Sequence, residues 1–177
     1  MLEVGSYEGA SACYVVETIT PVGELELHCV DSWEGGIEHQ DASMQMSHTE
    51  MRFHHNMAVA ASKAPHKLDL HVHKGNSDVQ LAKLLAEGKQ GYFDMVYIDG
   101  SHQAPDVLCD AVLGFKLLKV GGLLVFDDYL WAETLPNGPD LLRCPKPAID
   151  AFINLYFRKL QILTAPLYQI YTIKTAM

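Results

Sequence analysis

An α/β fold built on a mostly parallel sheet is predicted by three observations on this 177-residue chain. Short apolar runs alternate with segments of helical periodicity. Two of the runs end abruptly on carboxylates about 25 residues apart, a spacing typical of one parallel crossover. The last two runs are separated by only a few residues, too few for a crossover, so they pair as a hairpin and place one antiparallel strand near the end of the sheet.

Each element has its own justification. Runs at 1–4, 25–30, 68–73, 93–98 and 122–126 read as strands, and 160–163 with 168–173 as the hairpin. Segment 104–119 is a helix: Val107, Leu108, Ala111, Val112, Phe115 and Leu118 form one apolar face, Pro105 suits the first turn, and Gly121-Gly122 stops it. Residues 77–87 form a second helix, capped by Ser77 or Asp78, with Leu81, Leu84 and Leu85 turned inward. Helices are also expected at 9–20, 46–63 and 147–158, the last opened by Pro147. Segment 32–50 is long, irregular and acidic, and contains Gly35-Gly36, so it is a candidate lid.

Composition narrows the function. Hydrophobic residues make up 49% of the chain, a globular proportion, and the net charge is −9 with no Lys/Arg cluster, which argues against nucleic acid or an anionic membrane as partner and for a small-molecule acceptor. No apolar run reaches membrane-spanning length and no signal peptide is visible, so a cytoplasmic location is expected. Cys13, Cys29, Cys109 and Cys144 are scattered without a CxxC pair and read as reduced thiols.

Candidate chemistry lies at the ends of the strands. Gly5 and Gly9 enclose a turn between the first strand and first helix, which lets the chain bend sharply and a ligand approach the backbone; a plain tight turn explains the pair equally well. Tyr7 stands where a dinucleotide fingerprint needs its second glycine, which counts against a nicotinamide-dependent oxidoreductase. Asp31 ends the second strand about 20 residues on, where an acid commonly holds ribose hydroxyls, or else caps a turn. Glu3 is charged inside a strand and needs a partner such as an amine or a loop amide. Asp99, Asp127 and Asp128 gather three carboxylates and His102 an imidazole; close carboxylates repel unless a cation intervenes. Asp127 or Asp128 could instead cap the next segment and His102 the helix that follows it. Both aspartates reach one ion only if the strand has ended by Asp128, because adjacent strand residues point to opposite faces. His71 and His73 share a face of the third strand, read as a partly exposed face in preference to a two-histidine metal site. His54-His55 with Met44, Met46, Met51 and Met57 reads as helix packing near the lid, or as a substrate-facing apolar patch.

Glu3-Val4-Gly5-Ser6-Tyr7-Glu8-Gly9, Val30-Asp31-Ser32-Trp33-Glu34-Gly35, Gly75-Asn76-Ser77, Tyr97-Ile98-Asp99-Gly100-Ser101-His102 and Gly121-Gly122-Leu123-Leu124-Val125-Phe126-Asp127-Asp128-Tyr129 together resemble a class I S-adenosylmethionine (SAM)-dependent methyltransferase. Within that class they are most similar to metal-dependent O-methyltransferases of the macrocin/mycinamicin type. The resemblance covers residues 1–130 and implies a Rossmann-like, doubly wound, seven-stranded sheet with helices on both faces. It implies that Gly5, Ser6 and Gly9 lie near the methionine part of SAM, with Glu3 also counted among the cofactor-binding residues, Asp31 on the ribose, Ser32 and Trp33 beside the adenosine, and Asn76 and Ser77 beside the adenine. Asp99, Asp127 and Asp128 would bind Mg2+ or another divalent cation, with Asp99 also lining the cofactor, and His102, near its ordinary pKa, would be the general base. The function expected is O-methylation of a small hydroxylated molecule such as a sugar. The alternatives are a metal-independent methyltransferase, the oxidoreductase, and a non-catalytic SAM-binding module. Relatives usually carry helices before the first strand, so residues 1–177 read as one methyltransferase domain lacking them, with a homo-oligomer as one way to complete the site.

Overall fold

The computed structural model describes residues 1–41, 46–165 and 168–177. Its seven strands are β1 (Leu2–Val4), β2 (Leu25–Asp31), β3 (Leu68–Lys74), β4 (Phe93–Ile98), β5 (Leu118–Phe126), β6 (Leu160–Leu163) and β7 (Ile170–Lys174). They form one sheet in the order β3-β2-β1-β4-β5-β7-β6. β1 to β5 pair in parallel, and β7 runs antiparallel to both β5 and β6. The sheet therefore has the expected layout, with one reversed strand.

Helices cover both faces. α1 (Ala10–Ile19) and α3 (Thr49–Lys63) enclose a core with Ala12, Val16, Leu27, Cys29, Trp33, Phe53 and Met57. α4 (Ser77–Ala86), α5 (Ala104–Leu117) and α6 (Pro145–Tyr156) enclose the larger core on the other face, where Leu81, Phe93, Val96, Ala111, Phe126 and Phe152 meet. The division follows from strand alternation: Leu25, Leu27 and Cys29 face α1 and α3, while Val30 joins the opposite core. All four cysteines are free.

Several boundaries differ from expectation for identifiable reasons. α4 is capped by Asn76, whose extended backbone (φ −62°, ψ 140°) gives the N-cap geometry one residue early. α6 starts at Pro145 instead of Pro147, since a proline is as well suited to the first helical position there. The short helix α2 (Ile37–Asp41) lies inside the segment read as irregular. Residues 42–45 of that segment, Met44 among them, lie outside the described residues. Gly121-Gly122 does not stop α5. The helix ends at Leu117, and the glycines lie within β5. Phe93 pairs with Leu118 and Met95 with Leu123, so two steps along β4 match five along β5. Gly121 takes φ +86°, and a Cβ on Gly122 would lie 2.9 Å from the Asp94 carbonyl oxygen, so the bulge needs both glycines. The end of α5 is satisfied from a distance: the buried Lys174 Nζ donates to the Phe115 and Leu118 carbonyls, both at 2.7 Å.

Candidate active site

Because β1, β2, β4 and β5 are parallel, their C-terminal ends share one edge, where Gly5, Asp31, Asp99 and Asp127 emerge side by side. Gly5 has φ +86°, and a Cβ there would lie 2.0 Å from the Asp99 carbonyl oxygen. The turn after β1 is thus pressed directly on the backbone after β4, an approach only glycine permits. Gly9, φ +83°, caps α1 against Phe53.

This half of the edge is fully paired. Asp31 accepts from the Ser6 and Tyr7 amides at 2.9 and 2.7 Å and from the Trp33 amide at 2.6 Å. Three donors on one carboxylate clasp two loops together and hold Tyr7 and Trp33 at positive φ (47° and 56°). The Trp33 ring is buried against Phe53 and its indole N–H donates to the Tyr7 carbonyl at 2.8 Å, so it buttresses the turn from beneath. Ser32 accepts from the Glu34 amide at 3.2 Å. Glu3, fully buried, has neither the amine nor the loop amide expected as its partner. The Ser6 and Ser11 hydroxyls donate to its two oxygens at 2.5 and 2.7 Å, and burial pushes its pKa up. Asn76 is exposed and Ser77 half-buried at the start of α4.

The other half is short of positive charge. β5 ends at Phe126, and Asp128 takes φ +54°, which breaks the strand alternation after Asp127. Burial, then the Asp127 and Asp128 charges, push the Asp99 pKa up to about 8. Asp127 is held by the Tyr97 hydroxyl and, at 3.2 Å, by the Gln169 amide. A small cavity opens between the loops after β4 and β5, lined by Asp99, Gly100, Ser101, His102, Asp127 and Asp128. The three carboxylates do not converge: among the described residues, the only group with ligand atoms all within 4.8 Å is Glu26, His28 and His71, elsewhere on the sheet. In kind the donor set still suits a hard cation, since Asp99, Asp127 and Asp128 all line one cavity and Asp99 is driven to hold a proton there.

His102 stacks on Trp131, with ring centroids 3.9 Å apart and planes at 19°. Its Nε2 is 3.1 Å from Asp128 Oδ2, and its Nδ1 lies 3.1 Å from Glu38 Oε1 without hydrogen-bond geometry. Burial lowers its pKa, but Asp128 and Glu38 outweigh burial and raise it to about 9. This corrects the expectation of an ordinary pKa: in this arrangement His102 is an imidazolium clamped between two carboxylates. Glu38, brought by α2, is pushed down to about 2, first by its contact with His102. Glu38 of the segment 32–50 thus reaches the site.

Sequence reading missed Glu38, Tyr97, Trp131 and Gln169, whose roles arise only through tertiary contacts. Asp110 it could have caught. An acid on the apolar face of α5, it is 1% exposed, and neither oxygen has a partner in hydrogen-bonding geometry. Burial pushes its pKa up to about 7, against the nearby Ser77 hydroxyl.

Comparison with known proteins accords with this geometry. Residues 2–129 match the family model described as a methyltransferase domain. The chain belongs to that family. Tricin synthase 1 of Oryza sativa subsp. japonica is 34% identical over 77 residues, 42% of this chain and 30% of that protein. A probable caffeoyl-CoA O-methyltransferase 3 of Dictyostelium discoideum is 33% identical over 66 residues, 37% and 25% of the two chains. The matched segment thus spans a third or less of these relatives' lengths. The crystal structure of the O-methyltransferase TomG from Streptomyces achromogenes, in complex with SAM, superposes with a TM-score of 0.66 over 99% of this chain and 72% of TomG at 21% identity. The likeness to TomG is one of fold. The expected class of sheet and its recognition as a methyltransferase both hold.

Proposed function

We propose that this methyltransferase-family chain carries out SAM-dependent methylation of an oxygen on a small hydroxylated molecule, assisted by a divalent cation. The reading rests chiefly on one observation: the glycine turn clasped by Asp31 lies directly against Asp99, which opens onto the cavity of Asp127, Asp128 and His102. Cofactor and acceptor would then meet across the β1–β4 junction. The relatives' names, tricin synthase and caffeoyl-CoA O-methyltransferase, are in keeping with a hydroxyl acceptor.

When bound, SAM supplies an electrophilic methyl group and the cation lowers the pKa of the acceptor hydroxyl. The chain's own residues do the rest. Ser6, Gly5 and Gly9 present backbone to the methionine part. Asp31 already holds three amides, so a ribose hydroxyl would share the carboxylate's remaining lone pairs. Asp99, Asp127 and Asp128 would hold the cation. Once Asp128 is drawn away, His102 releases its Nε2 proton to solvent and can accept the acceptor's proton at that atom, and the Trp131 stack keeps the ring in plane. Separation of Glu38 from Nδ1 would return the imidazole to its neutral form, which makes α2 part of the catalytic cycle.

Isothermal titration with SAM, with and without Mg2+ and EDTA, tests the first part. Absence of SAM binding overturns the proposal, and turnover indifferent to chelation removes the cation alone. For the base, His102→Gln should lower kcat by about 10²–10⁴-fold while SAM affinity stays unchanged. Full turnover in that variant excludes His102 as the base.

A further inference from the structure

A second cluster of ligand-type side chains lies away from the catalytic edge. Glu26, His28 and His71 each offer one ligand atom, all within 4.8 Å of one another. Glu26 precedes Asp31 by five residues on β2, which places it about 16 Å down the strand from the catalytic edge at ~3.3 Å per residue. His28 pairs with His71 on the sheet's edge strand β3, and their rings stack at 4.3 Å. The His73 ring lies nearly parallel to that of His28, with centroids 5.0 Å apart.

The hydrogen bonds of His28 define its protonation. Its Nε2 is 2.8 Å from Glu26 Oε1, and its Nδ1 is 2.9 Å from His73 Nε2. An ionised carboxylate only accepts, so the single proton of neutral His28 sits on Nε2, and His73 donates to Nδ1.

We propose that Glu26, His28 and His71 form a second divalent-metal site, of the zinc class, with His73 as an outer-shell partner. Two imidazole nitrogens and a carboxylate oxygen are a donor set for borderline ions such as Zn2+, Co2+ or Cu2+, not for Mg2+. The ion takes the place of the Nε2 proton between His28 and Glu26. That proton moves to Nδ1 while His73 shifts its own proton from Nε2 to Nδ1, so His28 Nδ1–H now donates to His73 Nε2 and fixes the ring, the usual outer-shell arrangement for a ligating histidine. Across a tetrahedral ion the two ligand atoms stand ~3.3 Å apart, so the 2.8 Å contact opens by about half an ångström. Tyr92 already orients the Glu26 carboxylate, with its hydroxyl 2.7 Å from Oε2. The His71 side chain is 41% exposed, which leaves an entry path and room for a water ligand. The Lys89 ammonium, 3.5 Å from Glu26 Oε1 over the Tyr92 ring, has to swing into solvent.

Calorimetric titration of the metal-free protein with Zn2+, and electron paramagnetic resonance of the protein loaded with Cu2+, test this. In excess Mg2+, which occupies the carboxylate site of the proposed function, one Zn2+ per chain is expected, bound at least about tenfold more weakly by His71→Asn and about tenfold more weakly by His73→Asn, with Asp127→Asn unchanged. The Cu2+ spectrum should show coupling to two nitrogens and lose one in His71→Asn. His71 is partly exposed, so that variant keeps the wild-type circular dichroism and melting temperature without metal. Failure to bind Zn2+, affinity indifferent to His71→Asn, or loss of binding in Asp127→Asn overturns the proposal. None of these outcomes depends on SAM binding or turnover.

Discussion

Both halves of this sheet edge bury carboxylates, and Asp31 and Asp99 sit in opposite surroundings. Around β1 and β2 every acid has donors: Glu3 two hydroxyls, Asp31 three amides. Around β4 and β5, Asp99 faces Asp127 and Asp128, and the nearby cation, His102, is shared with Glu38. The first half is finished by the chain itself and should be stiff. The second carries an electrostatic debt that a ligand can discharge, and active sites commonly store cost in this way.

Substitutions should separate the two halves. The largest effect is expected at their contact: Gly5→Ala drives a Cβ into the Asp99 backbone at an unfavourable φ and should cost on the order of 4 kcal/mol or more. Thermal melts would show this, and a near-normal melting temperature would mean that the turn and Asp99 are not locked together. Next comes a contrast of sign. Asp31→Ala strips three amides of their acceptor and should destabilise by about 2–4 kcal/mol. Asp99→Asn should instead stabilise the metal-free protein by ~0.5–2 kcal/mol while abolishing turnover. Chemical denaturation of both variants measures the difference, and destabilisation by Asp99→Asn would show that the second half is as well paired as the first. The smallest effect concerns Asp110, beside Gly100. Its folded pKa, about 7, lies above the ordinary 3.8, so its protonated form favours the folded state. Its contribution is full below pH ~4 and is lost as pH rises through about 7. The melting temperature of Asp110→Asn relative to wild type should therefore rise across that window, and a flat difference would mean Asp110 titrates normally.

The fold was legible because its signals are local. Apolar runs broken by glycine turns marked β1, β4 and β5, and the spacing of Val107, Ala111 and Phe115 marked α5. Errors arose where a distant partner overrides a local cue. Gly121-Gly122 looks like a helix stop, but Lys174 ends α5 from β7 and frees the glycines for a bulge in β5. The edge residues were legible because a carboxylate at a strand end is conspicuous. Their state was not: nothing near His102 in the chain announces Glu38, which stands 64 positions earlier. Likewise His71 and His73 could be placed on one face of β3, but only pairing with β2 brings His28 and Glu26 beside them.

The position of β7 bears on how the chain is made. It follows β6 in sequence yet lies between β5 and β6. A nascent chain emerging from the ribosome has β1 to β5 available for pairing while the backbone groups along β5 still face an empty slot. Until β7 is synthesised that slot is a raw sheet edge able to recruit a neighbouring polypeptide, and a binder that captures exposed strands during translation would protect the yield of native protein.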